Sequence, residues 1–275
     1  MKSHLAPLFD KIKTSKNLPT LPHILLKLID ACNDPGSTIQ TISQIIDKDS
    51  SLSARVMKMV NSAYFSLPVR VTGVEQALRM LGTDAVKNIA VSAAVSRVFG
   101  GTKGDDVFKL KLFWYHCLFC GTLAELIAKK TDYGAPDEAF LSGLLHDIGK
   151  LVLWVNFPRD YTEVLRSSDD NEALLQAEQQ RLGATHSEVG AWMIGRWHLQ
   201  SFMADAVLFH HEPTEKIAAA LPLVQIVFLA NQLSIHSVDP NATVLKTAEE
   251  VFGFSQSDID TLVSQGKEPR FRCTS

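Results

Sequence analysis

At 275 residues and 30.3 kDa, the chain is longer than one typical domain and short of two. Hydrophobic residues at 46% and charged residues at 21% exclude a disordered or low-complexity protein. A net charge of −3 and a pI near 6.3 exclude any bulk attraction to nucleic acid or an anionic membrane. The four cysteines, Cys32, Cys117, Cys120 and Cys273, have no repeated spacing and read as reduced thiols rather than a disulfide framework. The longest mainly apolar stretches, such as Leu221 to Leu233, carry polar residues and are too short to span a bilayer. Met1-Lys2-Ser3-His4 leads into no apolar signal core, so a cytoplasmic protein without membrane partners is expected.

The hydrophobic period is helical almost throughout. Leu21, Ile24, Leu25, Leu28, Ile29 and Cys32 mark one buried helix face, closed by the loop Asn33-Asp34-Pro35-Gly36. Ser37 or Thr38 caps a second helix carrying Ile39, Ile42, Ile45 and Ile46. A third follows Asp49, with Leu52, Val56, Met59 and Val60 inward, and is expected to stop near Pro68. Gly82-Thr83-Asp84 opens another, with Val86, Ile89, Ala90 and Ala93 facing in. The polar glycine-rich segment Gly100 to Asp106 places a boundary. The expected parts are an N-terminal helical subdomain over 1–100, a helical bundle over 101–240 and a helical tail over 241–275.

In the second part, Leu110 to Lys130 reads as a long helix, apolar nearly all round and therefore central. Pro136 with Asp137 and Glu138 opens the next helix. Thr185-His186-Ser187-Glu188 has the pattern of a capping box, which puts His186 in a first helical turn. A helix ends around Leu208 to His211, before Pro213, and a further one covers Leu221 to Leu233. The expected class is all-α.

Of nine histidines, five gather in this second half: His116, His146, His186, His210 and His211. Each alone reads as a core residue, and neighbours such as His210 and His211 on one helix would point about 100° apart. Together with Asp147 they would cost several kcal/mol to bury unless they satisfied one another or a metal. Imidazole with carboxylate suits iron, manganese or zinc, and a bridging aspartate can join two ions.

The order His116, His146-Asp147, His186, His210-His211 resembles the helical HD superfamily of metal-dependent phosphohydrolases. More closely, the chain resembles the HDOD output domain of bacterial signalling proteins. The matching segments are Leu18-Pro19-Thr20-Leu21-Pro22, Val60-Asn61-Ser62-Ala63-Tyr64-Phe65, Ala77-Leu78-Arg79-Met80-Leu81-Gly82, Phe140 to Leu153, and His186-Ser187-Glu188-Val189-Gly190-Ala191. They span roughly residues 15 to 235, and the resemblance implies an HD-like bundle with an N-terminal helical subdomain.

Two departures bear on activity. HD hydrolases end their ligand set with an aspartate on a late helix, and the matching place here is Ala230-Asn231-Gln232. Asn231 shares a face with Val224, Val227 and Phe228, but a neutral amide cannot offset a second divalent ion. The segment after the histidine pair, Glu212-Pro213-Thr214-Glu215-Lys216, also lacks the Gly-Tyr-Pro of the HD-GYP phosphodiesterases.

The resemblance implies metal ligands at His146, Asp147, His186 and one of His210 or His211, with His116 the first ligand of a neighbouring position. Asp147 and Lys150 are the candidates for chemistry, Lys150 meeting a phosphate or standing as an ordinary surface lysine. The implied function is a regulatory module acting through signalling protein partners or a small phosphorylated ligand. With 15 residues ahead of the match, its input is expected from a partner, a ligand or expression level. The alternative is an HD-type phosphohydrolase acting on a nucleotide or phosphoester.

Weaker signals have plainer readings. Cys117-Leu118-Phe119-Cys120 sits in an apolar helix and reads as packing. Residues 38–63 loosely resemble a helix-turn-helix, but Lys48, Arg55 and Lys58 against Asp47 and Asp49 leave too little cation for phosphate neutralisation. The segment Val60 to Pro68 reads either as an exposed recognition surface or as a helix end with Asn61 as a cap and Tyr64-Phe65 as a core anchor.

Overall fold

The computed structural model describes residues 6–14, 23–34, 36–61, 67–83, 86–87, 89–90, 93, 107–197, 199–236 and 242–267. Among these no strand is present, so the all-α expectation holds. The segment Gly100 to Asp106, Leu18 to Pro22, Tyr64-Phe65, Cys273 and the side chain of Cys32 lie outside the described residues. The chain divides into two compact units, one of Met1–Leu18 with Thr102–Gly266 and one of Pro19–Gly101 with Lys267–Ser275.

In the second of these units, α2 (His23–Asn33), α3 (Ile39–Asp47), α4 (Ser50–Val60) and α5 (Val74–Leu81) pack together. Their buried faces carry Leu28, Ile42, Ile46, Leu52, Val56, Val60, Ala77 and Leu78. Thr38 caps α3, its hydroxyl accepting from the Thr41 amide, and Asp49 caps α4 through the Leu52 amide. α4 stops at Val60, well before Pro68, because Asn61 ends it. The Asn61 amide donates to Met57 O at 2.9 Å and exchanges two hydrogen bonds with the Val71 backbone, at 2.9 and 2.8 Å. Asn61 is therefore a cap that ties the chain ahead of α5 to the end of α4.

The other unit contains α1 (Ala6–Thr14) and runs on from α6 (Leu110–Lys130). α6 packs along α7 (Pro136–Leu145) and α14 (Pro222–Ile235). α8 (Ile148–Asn156) packs on α11 (His186–Arg196), which packs on α12 (Ser201–Phe209). Between α8 and α11 run α9 (Pro158–Arg166) and α10 (Asn171–Leu182); α13 (Thr214–Ile217) is a single turn, and α15 (Ala242–Phe252) and α16 (Gln256–Lys267) follow α14. Of the described helices α6 alone is long and apolar enough to cross a membrane by length and composition, contrary to the expectation that every apolar stretch is too short. Its C-terminal part is core, with Cys117, Cys120, Leu123, Ala124 and Ile127 fully buried, and both cysteines are free. Its N-terminal turns are not central, since Leu112 and Tyr115 are exposed.

Candidate metal centre

Four chain segments bring the candidate ligands together. His116 lies on α6; His146 ends α7 and Asp147 precedes α8; His186 opens α11; His210 ends α12 and His211 follows it. The Thr185–Glu188 capping box forms as expected and sets the start of α11 at His186. His210 and His211 both join the cluster, with ring centroids 4.1 Å apart. The two rings are not held about 100° apart on one helix, because α12 ends at Phe209, His210 is its C-cap and His211 lies in the turn beyond.

Asp147, 2% exposed, sits at the middle. Its Oδ1 lies 3.4 Å from His186 Nε2 and 3.5 Å from His210 Nε2. Its Oδ2 lies 3.5 Å from the Nε2 atoms of both His116 and His146, and accepts from Lys150 Nζ at 2.7 Å. Lys150 is thus an ion-paired residue of the site, not a free surface lysine. Two groups with metal-ligand spacing share this carboxylate: Asp147, His186, His210 and His211, and His116, His146 and Asp147.

The ring protons follow from partners that can only accept. His146 Nδ1 donates to Gly143 O at 2.7 Å and His210 Nδ1 to Val207 O at 2.6 Å. His186 Nδ1 donates to the Glu178 carboxylate at 2.8 Å. In the neutral rings each Nε2 is therefore a bare lone pair. His211 Nε2 donates to His186 Nε2 at 3.0 Å, and His116 Nε2 lies 3.1 Å from His146 Nε2. Asp147 Oδ1 and His210 Nε2 are buried with no hydrogen-bond donor. Converging acceptors without a donor are costly in a protein interior, and a cation would satisfy them. The donor set fits a divalent metal.

Three supporting residues, Glu178, Tyr161 and Ser234, give no motif in the sequence. Glu178 on α10 is fully buried and accepts from the His186 backbone amide, the His186 ring and Tyr161 Oη, at 2.7, 2.8 and 2.8 Å. Ser234 Oγ lies 3.1 Å from His116 Nδ1 and donates to Asn231 O at 2.8 Å. Asn231 itself is 1% exposed, inward-facing as expected, and neither polar atom of its side chain has a hydrogen-bond partner. Sequence alone could have found only Glu178, as an acid on a helix immediately before the His186 cap.

Burial is the main force holding His146, His210 and His211 below the ordinary imidazole range, and neighbouring imidazoles add to it. Burial pushes the Asp147 carboxyl up, but the Lys150 ammonium and the surrounding imidazoles outweigh it and hold the group ionised. A lowered histidine pKa means that below about pH 6.5 the unfolded chain takes up protons which the folded chain refuses. Stability without metal is therefore expected to be full above that pH. Three such histidines give an acid slope approaching roughly 4 kcal/mol per pH unit. Melting in chelator from pH 8 to 5 checks this; a midpoint level across pH 6.5 would contradict it.

The HDOD domain model matches residues 18–213. The chain belongs to the HDOD family. An HDOD domain protein of unknown function from Geobacter sulfurreducens has a similar structure, with a TM-score of 0.73 and 25% identity, covering 96% of this chain and 93% of that one. A Shewanella amazonensis SB2B protein, described provisionally as a phosphohydrolase, superposes with a TM-score of 0.72 at 24% identity, covering 96% and 97% of the two chains. An uncharacterized Treponema pallidum (strain Nichols) protein is 28% identical over 219 residues, 78% of this chain and 42% of that one. The chain spans less than half the length of the curated relatives it matches. The HDOD fold and a His/Asp cluster with metal-ligand spacing are thus established.

Proposed function

We propose that the protein is a regulatory HDOD module whose cleft binds one divalent cation, drawn from iron, manganese or zinc, and acts by binding a partner or a small phosphorylated ligand. The observation carrying this reading is that Asp147 Oδ1 and His210 Nε2 are buried without a donor, with His186 Nε2 3.4 Å from the same carboxylate oxygen. Asp147 is the only carboxylate in either ligand group. Two divalent ions would place four positive charges against one negative, with the Lys150 ammonium 2.7 Å away. One ion is tolerable there and a two-ion hydrolytic site is not. When bound, such an ion supplies Lewis acidity toward a phosphoryl oxygen; Lys150 adds a positive charge, and Asp147 with the histidines holds the ion in place.

Elemental analysis of protein purified without added metal or affinity histidines is expected to find close to one equivalent. Asn231→Asp is expected to raise capacity toward two, since it restores a buried carboxylate on α14. The second reading, an HD phosphohydrolase, is favoured by His116 and His146, which complete a second position around Asp147. Near two equivalents in the natural protein together with phosphoester turnover would replace the first reading with the second. No uptake on titration would leave the histidines as a polar core.

A further inference from the structure

The two sides of Asp147 are not equivalent. On the Oδ2 side, Lys150 Nζ already occupies the carboxylate oxygen at 2.7 Å. A cation entering there must displace an ammonium. On the Oδ1 side, the carboxylate oxygen and His210 Nε2 have no donor at all. His186 Nε2 accepts only from His211, whose ring can carry its proton on Nδ1 instead and become a fourth ligand. Two acceptors stand without a donor on one side, and on the other the carboxylate oxygen is already paired.

A second asymmetry lies behind the rings. His146 and His210 end helices, so the carbonyl three residues back takes each Nδ1 proton. His186 begins a helix, where free amides and no carbonyls are exposed. The chain supplies an acceptor from elsewhere: Glu178 takes both the His186 amide and its ring proton, and Tyr161 fixes the remaining geometry of the carboxylate. A carboxylate behind an imidazole fixes its tautomer and strengthens it as a donor.

Resting on the proposed cation binding, we infer that the single ion sits on the His186, His210 and His211 side of Asp147, and that Glu178 is the positioning residue that makes this side the tight one. The probe is cobalt(II), followed by its visible absorption in the full chain. Wild type is expected to take up one tight equivalent. His186→Ala is expected to abolish the tight phase, whereas His116→Ala retains it, and Glu178→Gln weakens it roughly 10- to 100-fold. In metal-free Glu178→Gln, the 15N signals of labelled histidine are expected to show His186 losing its single Nδ1-protonated form, a change that general destabilisation would not produce.

The reverse pattern, tight binding lost in His116→Ala and kept in His186→Ala, overturns the assignment of the side. Wild-type affinity and an unchanged tautomer in Glu178→Gln overturn the role of Glu178. If that variant does not fold, the His186→Ala and His116→Ala pair still decides the side, and Tyr161→Phe, which frees one Glu178 oxygen, is read for the same tautomer shift. No cobalt uptake by wild type overturns the cation reading itself, and this inference with it.

Discussion

Asp147→Asn is expected to abolish cation uptake. Asp147 is the one residue common to both ligand groups and the only anionic donor in either. Its replacement leaves neutral imidazoles around an amide that offers a single weak oxygen. Loss of a partner behind a ligand costs roughly 10- to 100-fold in affinity, so loss of the shared ligand should exceed the upper end of that range. The fold is expected to survive. Removing one member of a buried pair is severe when it strands the other charge, but the Lys150 side chain is 16% exposed and can turn to solvent. Elemental analysis and cobalt titration of Asp147→Asn against wild type check this, with circular dichroism to show that the helices remain. Equimolar metal in a folded Asp147→Asn would contradict it.

Gly149→Ala is expected to break the site through the backbone. A Cβ at Gly149 would collide with His186 O and stand 2.8 Å from Gly190 N. Neither is the end of a flexible side chain, so α8 and α11 must separate, and His186 moves away from Asp147. Overpacking of this kind costs roughly 3 kcal/mol or more, or about 6–12 °C in melting midpoint for a chain of this size class. Gly195, on the same helix as His186, has nothing within 4 Å of its Cβ position. Gly195→Ala is expected to gain roughly 0.5–1 kcal/mol by removing glycine from a helix interior. Thermal melts of the two variants side by side test the contact. A Gly149→Ala protein melting with wild type, or a Gly195→Ala protein losing as much, would show that close approach does not hold α8 on α11.

Much of this molecule is determined by local sequence, because the forces involved act over a few residues. The 3.6-residue apolar period defines α3, α4 and α14, and Thr38, Pro136 and the Thr185–Glu188 box mark starts where unpaired helix amides need an acceptor or a residue lacking one. The five histidines and Asp147 stand out because burying so many polar groups in apolar helices demands a shared partner.

What tertiary structure alone decided are the contacts between segments far apart in the chain. The end of α4 depends on Asn61 bonding to Val71, ten residues on, and not on the proline ahead. Lys150 is a site residue because α8 starts beside the carboxylate, which a helical period does not reveal. Glu178 and Tyr161 become partners of His186 only when α9 and α10 fold together before α11, so no spacing rule marks them. Gly149 looks like an ordinary small residue until His186 O arrives against it. Periodicity and capping are written along one chain segment, but tautomers, lone pairs and close backbone approach belong to pairs of segments, and they exist only once the helices have packed.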